Sequence, residues 1–140
     1  MERTFHMLLY RTSHAQKNYL RPYLKEIGLG TGQPKLLTYL ATKSPCRQKE
    51  LADYFEVDRA AISRMLHSME KNGFITHETD RNNRRADSVR ITEKGREANQ
   101  AWHMHCQEVE TKILSGFTDE ERRQFADYLF RAYLNMRAKD

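Results

Sequence analysis

The residues of this sequence best suited to chemistry lie in two neighbouring basic segments. The first is the stretch 59–72, whose apolar spacing predicts a helix with Ile62, Leu66 and Met69 on its buried face. The outer face carries short side chains, which let a helix approach base edges, and arginines, which can reach guanine or phosphate. The candidate contacts on this helix are Arg59, Ala60, Ala61, Ser63, Arg64 and His67.

The second basic segment follows directly and reads as a β-hairpin. Residues 74–79 and 87–91 have the composition of short strands, and the polar run 80–85 between them contains three arginines. Such a tip can reach a minor groove, where narrow A/T tracts concentrate negative potential. The candidate contacts in the hairpin are Arg81, Asn83, Arg84 and Arg85. Either segment alone is typical of a solvated surface, but a helix followed by an arginine-tipped hairpin is one DNA-binding geometry.

The elements that must position these segments are mostly helical. A long first helix is expected to be kinked or split at Pro22, because proline lacks the amide donor. A short third helix is joined to the basic helix by a three-residue turn ending at Asp58, a favourable N-cap. Two helices joined in this way form a helix-turn-helix, whose second helix can lie in the major groove. The predicted helices are about 5–27, 32–43, 48–55, 59–72, 92–114 and 118–138, so the predicted fold class is mostly α with a small β-wing, comprising six helices and one β-hairpin.

Composition narrows the function. The 140 residues suffice for one modest core, and the net charge of +5 favours a polyanionic partner. No apolar run approaches the roughly 20 residues needed to cross a bilayer, and two cysteines are too few for a disulfide framework, so a cytoplasmic protein without a membrane partner is expected. No phosphate-binding loop, paired catalytic carboxylates or activated nucleophile emerges, so neither an enzyme nor a bound cofactor or metal is expected.

Four blocks of sequence, in this order and spacing, resemble the multiple-antibiotic-resistance regulator (MarR) family of bacterial and archaeal transcriptional regulators. They are Gln48–Ala52, Val57–Arg64, Met69–Ile75 and Asn83–Gly95. The resemblance covers nearly the whole chain. It implies a winged helix-turn-helix as the DNA-binding lobe, with Gln48 and Lys49 as further candidates for contacts to the DNA backbone.

The same resemblance implies a homodimer with a helical base. The first, fifth and sixth helices would form the base, and the winged lobes would flank it. The implied division is a dimerisation region over 1–30 and 97–140 and a DNA-binding lobe over 31–96, with the helix-turn-helix at 48–72 and the wing at 74–91. An aromatic stripe on the last helix supports the dimer, because it is more apolar surface than a monomer of this length easily covers. A two-fold dimer requires a pseudo-palindromic operator with half-sites about one helical turn apart.

The sequence departs from the family pattern at two positions. Asn83 stands where the family usually has an aspartate two residues before the key wing arginine, here Arg85, so the ion pair that would hold this arginine is lost. Arg47 stands where a serine or threonine often caps the third helix. The missing cap is expected to cost roughly 1 kcal/mol.

Family resemblance also implies a small effector, commonly aromatic or phenolic, bound between the dimer base and the winged lobe. The candidate pocket residues are Tyr10, His14, Tyr39, Trp102 and His103. An ordinary role for these side chains in the core or at its boundary is equally compatible with the sequence.

Two other switching chemistries have weaker support. Cys46 lies beside Arg47, which could lower the pKa of its thiol and favour redox sensing, although no cysteine occurs in the first helix, where some relatives carry their sensor. His103 and Cys106 share a helix face while His105 points elsewhere, and two ligands do not make a zinc site.

The leading hypothesis is therefore a dimeric, sequence-specific DNA-binding regulator, most simply a repressor. The alternative is a winged-helix module that uses its basic hairpin to contact an acidic protein, because winged helices serve both purposes.

Overall fold

The computed structural model describes the backbone at residues 2–80 and 83–138 and the side chains at residues 2–79 and 87–138. Within these residues the chain forms six helices and a two-stranded antiparallel sheet, which confirms the predicted fold class. The elements are α1 (Phe5–Ile27), α2 (Gln33–Lys43), α3 (Gln48–Phe55), α4 (Arg59–Lys71), β1 (Ile75–Asp80), β2 (Asn83–Ile91), α5 (Glu93–Ile113) and α6 (Asp119–Arg137).

The chain divides into two compact units, Met1–Cys106 and Gln107–Asp140, with the boundary inside α5. The first unit contains a hydrophobic core to which α2, α3, α4, the hairpin and the start of α5 all contribute. Its fully buried large side chains are Leu36, Leu37, Leu40, Leu51, Ile62, Leu66, Met69, Phe74, Ile75 and Val89. The helix-turn-helix and the base of the hairpin are thus built on one core.

Helix α1 runs without a break through Pro22, so the expected split at this residue was wrong. Proline removes one intrahelical hydrogen bond, but the residues on either side of it are held by tertiary contacts. Leu20 is buried, Leu24 packs against the core, and the ring of Tyr23 stacks on His105 with centroids 3.7 Å apart. These contacts, which the local sequence does not reveal, preserve the helix.

The second strand of the hairpin is longer than predicted. The register pairs Ile75 with Ile91 and His77 with Val89, and an irregularity between Glu78 and Asp80 precedes the tip. Strand β2 begins at Asn83 rather than Asp87, so the expectation that 83–85 form the tip was wrong. Cross-strand pairing extends into this polar run, which composition alone marks as a turn.

The second unit contains the end of α5 and all of α6. The predicted capping box is confirmed: the Glu121 amide donates to the Thr118 hydroxyl at 3.1 Å, and the Thr118 amide donates to Glu121 Oε1 at 2.9 Å. No described residue of α6 is buried. The exposed large apolar side chains of this helix are Phe125, Tyr128, Leu129, Phe130, Tyr133, Leu134 and Met136.

Candidate nucleic-acid interface

Helix α4 presents one buried and one exposed face, as predicted from its spacing. Ile62, Leu66 and Met69 have no exposed surface and anchor the helix in the core. The candidate residues Arg59, Ala60, Ser63, Arg64 and His67 are all exposed, and Ala61 is half-buried. Positions 60, 63, 64 and 67 follow the spacing of a single helix face, so the structure brings these side chains together on one surface.

The N-terminus of α4 is fixed by its cap. Asp58 has extended backbone angles, and its Oδ1 accepts a hydrogen bond from the Ala61 amide at 2.8 Å. The preceding turn reverses the chain at Glu56, whose φ of 56° lies in the left-handed region. This turn confirms the predicted three-residue connection and aims the first turn of α4 away from the core.

The predicted backbone-contact residues open α3. Lys49 is exposed and Gln48 is half-buried. The main-chain amide of Gln48 donates to Oδ2 of Asp87 at 2.9 Å, which makes this amide part of the protein's own hydrogen bonding. Lys49 therefore remains the better candidate for a phosphate contact.

The wing candidates are only partly described. The backbone of Asn83, Arg84 and Arg85 lies in β2, directly after the tip of the hairpin. Their side chains and all of Arg81 lie outside the described residues. The structure therefore places these wing positions along the chain and in the sheet, and their contacts remain predictions.

A junction that the sequence did not reveal joins the hairpin to the helix-turn-helix. Nε2 of His77 lies 2.5 Å from Oδ1 of Asp87, and Oδ2 of Asp87 accepts from the Gln48 amide. The His77 amide in turn donates to Glu70 Oε2 at 2.8 Å. Asp87 thereby replaces the missing local cap of α3, since Arg47 makes no side-chain capping hydrogen bond. The expected loss of capping at Arg47 is thus offset from another element. The sequence gives only a weak signal of this contact, because recognising it requires the strand register. In that register Asp87 lies diagonal to His77 on the same face of the sheet.

Comparison with known proteins shows which family this chain is similar to. The model of the MarR family matches residues 31–86. A crystal structure of MarR superposes with a TM-score of 0.81 and 27% sequence identity, over 98% of this chain and 97% of that one. The central segment of the chain therefore matches the MarR family, and the chain has the fold of MarR. The resemblance stated from the four sequence blocks is confirmed.

The matched relatives are transcriptional regulators. BilQ of Clostridium symbiosum, a helix-turn-helix-type transcriptional regulator, is 26% identical over 127 residues, covering 89% of this chain and 86% of that protein. A MarR-family transcriptional regulator from Listeria monocytogenes, crystallised in complex with a 26mer DNA, superposes with a TM-score of 0.80 and 24% identity over 96% of this chain and 90% of that one. These relatives are transcriptional regulators and not enzymes, in agreement with the expectation from the sequence.

A cavity of about 730 Å³ opens beside the helix-turn-helix, lined by α1, α2, α3 and α5. Two of the candidate effector residues, Tyr39 and Trp102, are among its lining residues. Tyr10 and His14 stack on each other along α1, with ring centroids 5.7 Å apart, and lie outside the lining, so their assignment to an effector pocket stays a prediction. His103 is also outside the lining, but its Nε2 lies 3.3 Å from the hydroxyl of Thr38, which lines the cavity.

The polar side chains of the cavity are strongly biased in charge. Four of the lining residues are bases, and within the described residues the lining includes no aspartate or glutamate. The bases are Lys17, Arg21, Lys35 and Lys43. Burial and the nearby charge of Glu50 raise the pKa of Tyr39, so its hydroxyl stays protonated. The cavity thus combines aromatic walls with positive charge.

Cys46 is not the activated thiol that its position beside Arg47 suggested. It is only 5% exposed, and burial raises its pKa to about 11, with further contributions from the charges of Glu50 and Asp87. The lowered pKa that a neighbouring Arg47 could have produced is therefore not found. A buried thiol with a raised pKa is unsuited to redox sensing.

The neighbouring histidines and cysteine of α5 do not form a metal centre. His105 stacks on Tyr23, whereas His103 faces Thr38. Among residues 2–79 and 87–138, no group of three or more His, Cys, Asp or Glu side chains is arranged to hold a metal ion. None of the described helices is long and apolar enough to cross a membrane.

Proposed function

We propose that this MarR-family regulator binds double-stranded DNA sequence-specifically, with α4 in the major groove and the wing against the neighbouring groove or backbone. The observation that carries this proposal is the exposed face of α4, where Arg59, Ser63 and Arg64 stand opposite a fully buried face. A helix held so firmly can place side chains at base edges reproducibly. The DNA complex of the structurally similar Listeria regulator supports the same use of the fold.

The test is fluorescence anisotropy with labelled duplex from the region upstream of the protein's own gene, against a scrambled duplex, across a salt series. Sequence-selective binding at near-physiological salt is expected. Arg64→Ala is expected to weaken binding by about 1–3 kcal/mol and to relax sequence preference. Arg85→Ala should lower affinity for both duplexes and reduce the slope of log K against log salt by about 0.9.

The matched control is Arg123→Ala, which removes the same charge from an exposed position on α6. This variant is expected to bind like the parent protein. If Arg64→Ala binds the operator as tightly and as selectively as Arg123→Ala, α4 is not the reading helix. Loss of all duplex binding at physiological salt, with retained binding to an acidic protein, would favour a protein-interaction module instead.

We further propose that the functional unit is a homodimer that uses α6. Every described residue of this helix is at least partly exposed in the single chain, although the helix carries seven large apolar side chains. Tyr128, Leu129 and Tyr133, which follow helical spacing, are between 45% and 60% exposed. Covering these side chains with a second copy removes the cost of hydrating them. The boundaries of the dimerisation region, 1–30 and 97–140, stay a prediction.

Light scattering after size exclusion tests the dimer. Leu129→Glu combined with Tyr133→Glu puts two charges into the proposed interface and is expected to give monomers. The control Asp127→Ala alters the opposite side of the same helix and is expected to leave a dimer. A monomeric parent protein at micromolar concentration would refute the proposal. A dimer in turn requires an operator with two half-sites about one helical turn apart.

The cavity supports a small aromatic effector, and its charge favours an anionic one. Tyr39 and Trp102 supply aromatic surface, while Lys17 and Arg21 lie on the same lining as two further lysines. A carboxylate or phenolate on an aromatic ring matches both features. Because the lining includes α3, occupation of the cavity can alter the position of the helix-turn-helix and release DNA.

Trp102 is the single tryptophan of the chain and therefore reports directly on the cavity. Hydroxybenzoates and benzoate are expected to change its fluorescence and to release labelled DNA, whereas the neutral isostere benzamide is expected to do neither. Arg21→Gln should weaken binding of the anion about fivefold, the effect of one partly exposed charge contact. The control Arg11→Gln, on the same helix but outside the lining, should bind normally. Equal binding of benzamide and benzoate would contradict the anionic assignment.

A repressor is the simplest regulatory outcome, because a dimer occupying an operator excludes the transcription machinery from the same DNA. We place this activity in the bacterial or archaeal cytoplasm, where the chromosome lies. Deletion of the gene is expected to raise transcription from the bound promoter, and addition of the effector should mimic the deletion. Lower transcription after deletion would identify an activator.

A further inference from the structure

We propose that Asp87 is a positioning residue that fixes the wing relative to the two helices of the helix-turn-helix. Its carboxylate joins His77 of β1 and the Gln48 amide of α3, at 2.5 Å and 2.9 Å. The amide of the same His77 is held by Glu70 of α4 at 2.8 Å. Asp87 itself belongs to β2, so its carboxylate joins the two strands to α3, and the His77 amide links α4 to the same junction. The inference rests on the proposed DNA-binding function of these elements.

The junction is largely shielded from solvent, and the negative charge of Asp87 is favourable at the start of α3. The side chains of His77 and Asp87 are only 15% and 23% exposed. The Gln48 amide is one of the unpaired donors at the start of α3, where a carboxylate is favoured by the partial positive charge of the helix end. Since the local N-cap residue Arg47 makes no capping hydrogen bond, α3 depends on the strand for this contact.

Strand β2 is tethered on the same side by its backbone. The amide of Cys46 donates to the Val89 carbonyl at 3.0 Å, and the Val89 amide donates to the Cys46 carbonyl at 2.7 Å. The segment entering α3 therefore meets β2 in an isolated antiparallel bridge, and Asp87 lies two residues before Val89 of this bridge. The bridge holds β2 near Val89, whereas Asp87 extends the attachment towards the tip.

The consequence concerns the wing arginines. Arg84 and Arg85 precede Asp87 by three and two residues in the same strand. At about 3.3 Å per residue, their backbone lies within about 10 Å of the anchor. Asn83 cannot supply the ion pair expected to hold Arg85, so the direction of the hairpin is fixed from its base instead. Phosphate contacts set the orientation of a protein on the duplex. A wing that moved relative to the helix-turn-helix would no longer fix this orientation.

Asp87 could alternatively serve only as the cap of α3, and a second substitution separates the two roles. Arg47→Ser supplies a local capping side chain, which can accept from the amide of Lys49 or Glu50 in the same first turn of α3. The variants are Asp87→Ala, Arg47→Ser and the double variant Arg47→Ser/Asp87→Ala. Each is compared with the parent by thermal unfolding, by operator affinity and by the rate of tryptic cleavage at Arg84 and Arg85.

Asp87→Ala is expected to lower the unfolding temperature, to weaken operator binding about tenfold and to speed cleavage in the wing. These effects are expected when a contact that holds the wing against the helix-turn-helix is lost. The double variant is expected to recover the unfolding temperature but to keep the weak binding and the fast cleavage. Recovery of all three by Arg47→Ser would show that Asp87 is only a cap and would overturn the proposal. Parental affinity and cleavage in Asp87→Ala would overturn it as well.

The cleavage rate separates this inference from the function on which it rests. If the parent protein binds no duplex, the proposed DNA-binding function fails. In that case, wing cleavage that is faster in the double variant than in Arg47→Ser still supports positioning by Asp87, and equal cleavage refutes it.

Discussion

Cys46 is expected to resist thiol reagents in the folded protein. Its side chain is 5% exposed, and its backbone forms a bridge with Val89. Burial raises the pKa of its thiol from 9.0 to about 11, assisted by the negative charges of Glu50 and Asp87. All three causes disfavour the thiolate, which is the form that attacks maleimides, iodoacetamide and peroxide.

The expected magnitude follows from the two pKa values. At about pH 8, a thiol with a pKa of 9.0 is about one-tenth thiolate, whereas one with a pKa of about 11 is about one-thousandth thiolate. Native Cys46 should therefore react about 100-fold more slowly than unfolded Cys46, and steric burial slows it further. Because the folded pKa is raised, the native rate should keep increasing with pH up to about 11, whereas the unfolded rate levels off above 9.0.

Pulsed labelling with iodoacetamide, followed by mass spectrometry of the peptides, measures this directly. Cys106, which is half-buried, serves as a second thiol in the same sample, and protein unfolded in guanidinium gives the reference rate. Labelling of native Cys46 within about threefold of the unfolded rate would refute the reasoning and reopen redox sensing at this residue.

Three further predictions concern stability. Gly95→Ala should destabilise the protein by more than about 2 kcal/mol in urea unfolding, because the added Cβ would lie 2.2 Å from the carbonyl oxygen of Phe74. Asp58→Ala should cost about 1 kcal/mol of stability, measured in the same way, because it removes the cap at the Ala61 amide of α4. Hydrogen bonds from the preceding turn lower the pKa of Glu121, so its contribution to α6 is present above the unfolded pKa and is lost as pH falls through the folded one. Circular dichroism over an acid titration should show this loss in the parent and not in Glu121→Gln.

Controls differ between these three changes. Gly116→Ala places a Cβ in open space and tests the cost of a positive φ without a clash. Asp58→Asn keeps a capping oxygen and should be nearly neutral. A Gly95→Ala protein as stable as the parent would show that the carbonyl of Phe74 can move. An Asp58→Ala protein as stable as Asp58→Asn would show that the side-chain cap does not stabilise α4.

The helices could be predicted well because their signals are local. The spacing of Ile62, Leu66 and Met69 fixes the buried face of α4, and Asp58 marks its start within the same segment. The exposed face of α4, which we propose contacts DNA, follows directly from this spacing, because residues opposite a buried face are exposed. The same holds for α6, where Thr118 and Glu121 form the capping box that their spacing predicts.

Predictions that depended on distant neighbours fared worse. Pro22 should break an isolated helix, yet packing around Leu20 and Leu24 keeps α1 continuous. Arg47 predicts a nearby cation for Cys46, but the thiol is buried against β2 and faces acidic groups.

The sequence by itself determined the fold class, the helix-turn-helix, the exposed face of α4 and the resemblance to the MarR family. These rest on periodicity, caps and short motifs, each of which acts within a few residues. Only the tertiary structure decided that Asp87 accepts from the first amide of α3, that Cys46 is buried with a raised pKa and that a basic aromatic cavity lies beside the helix-turn-helix. Each of these depends on the register and packing of segments far apart in the chain. Hydrogen bonding and desolvation act over a few ångströms, so they are set by the neighbours that folding supplies.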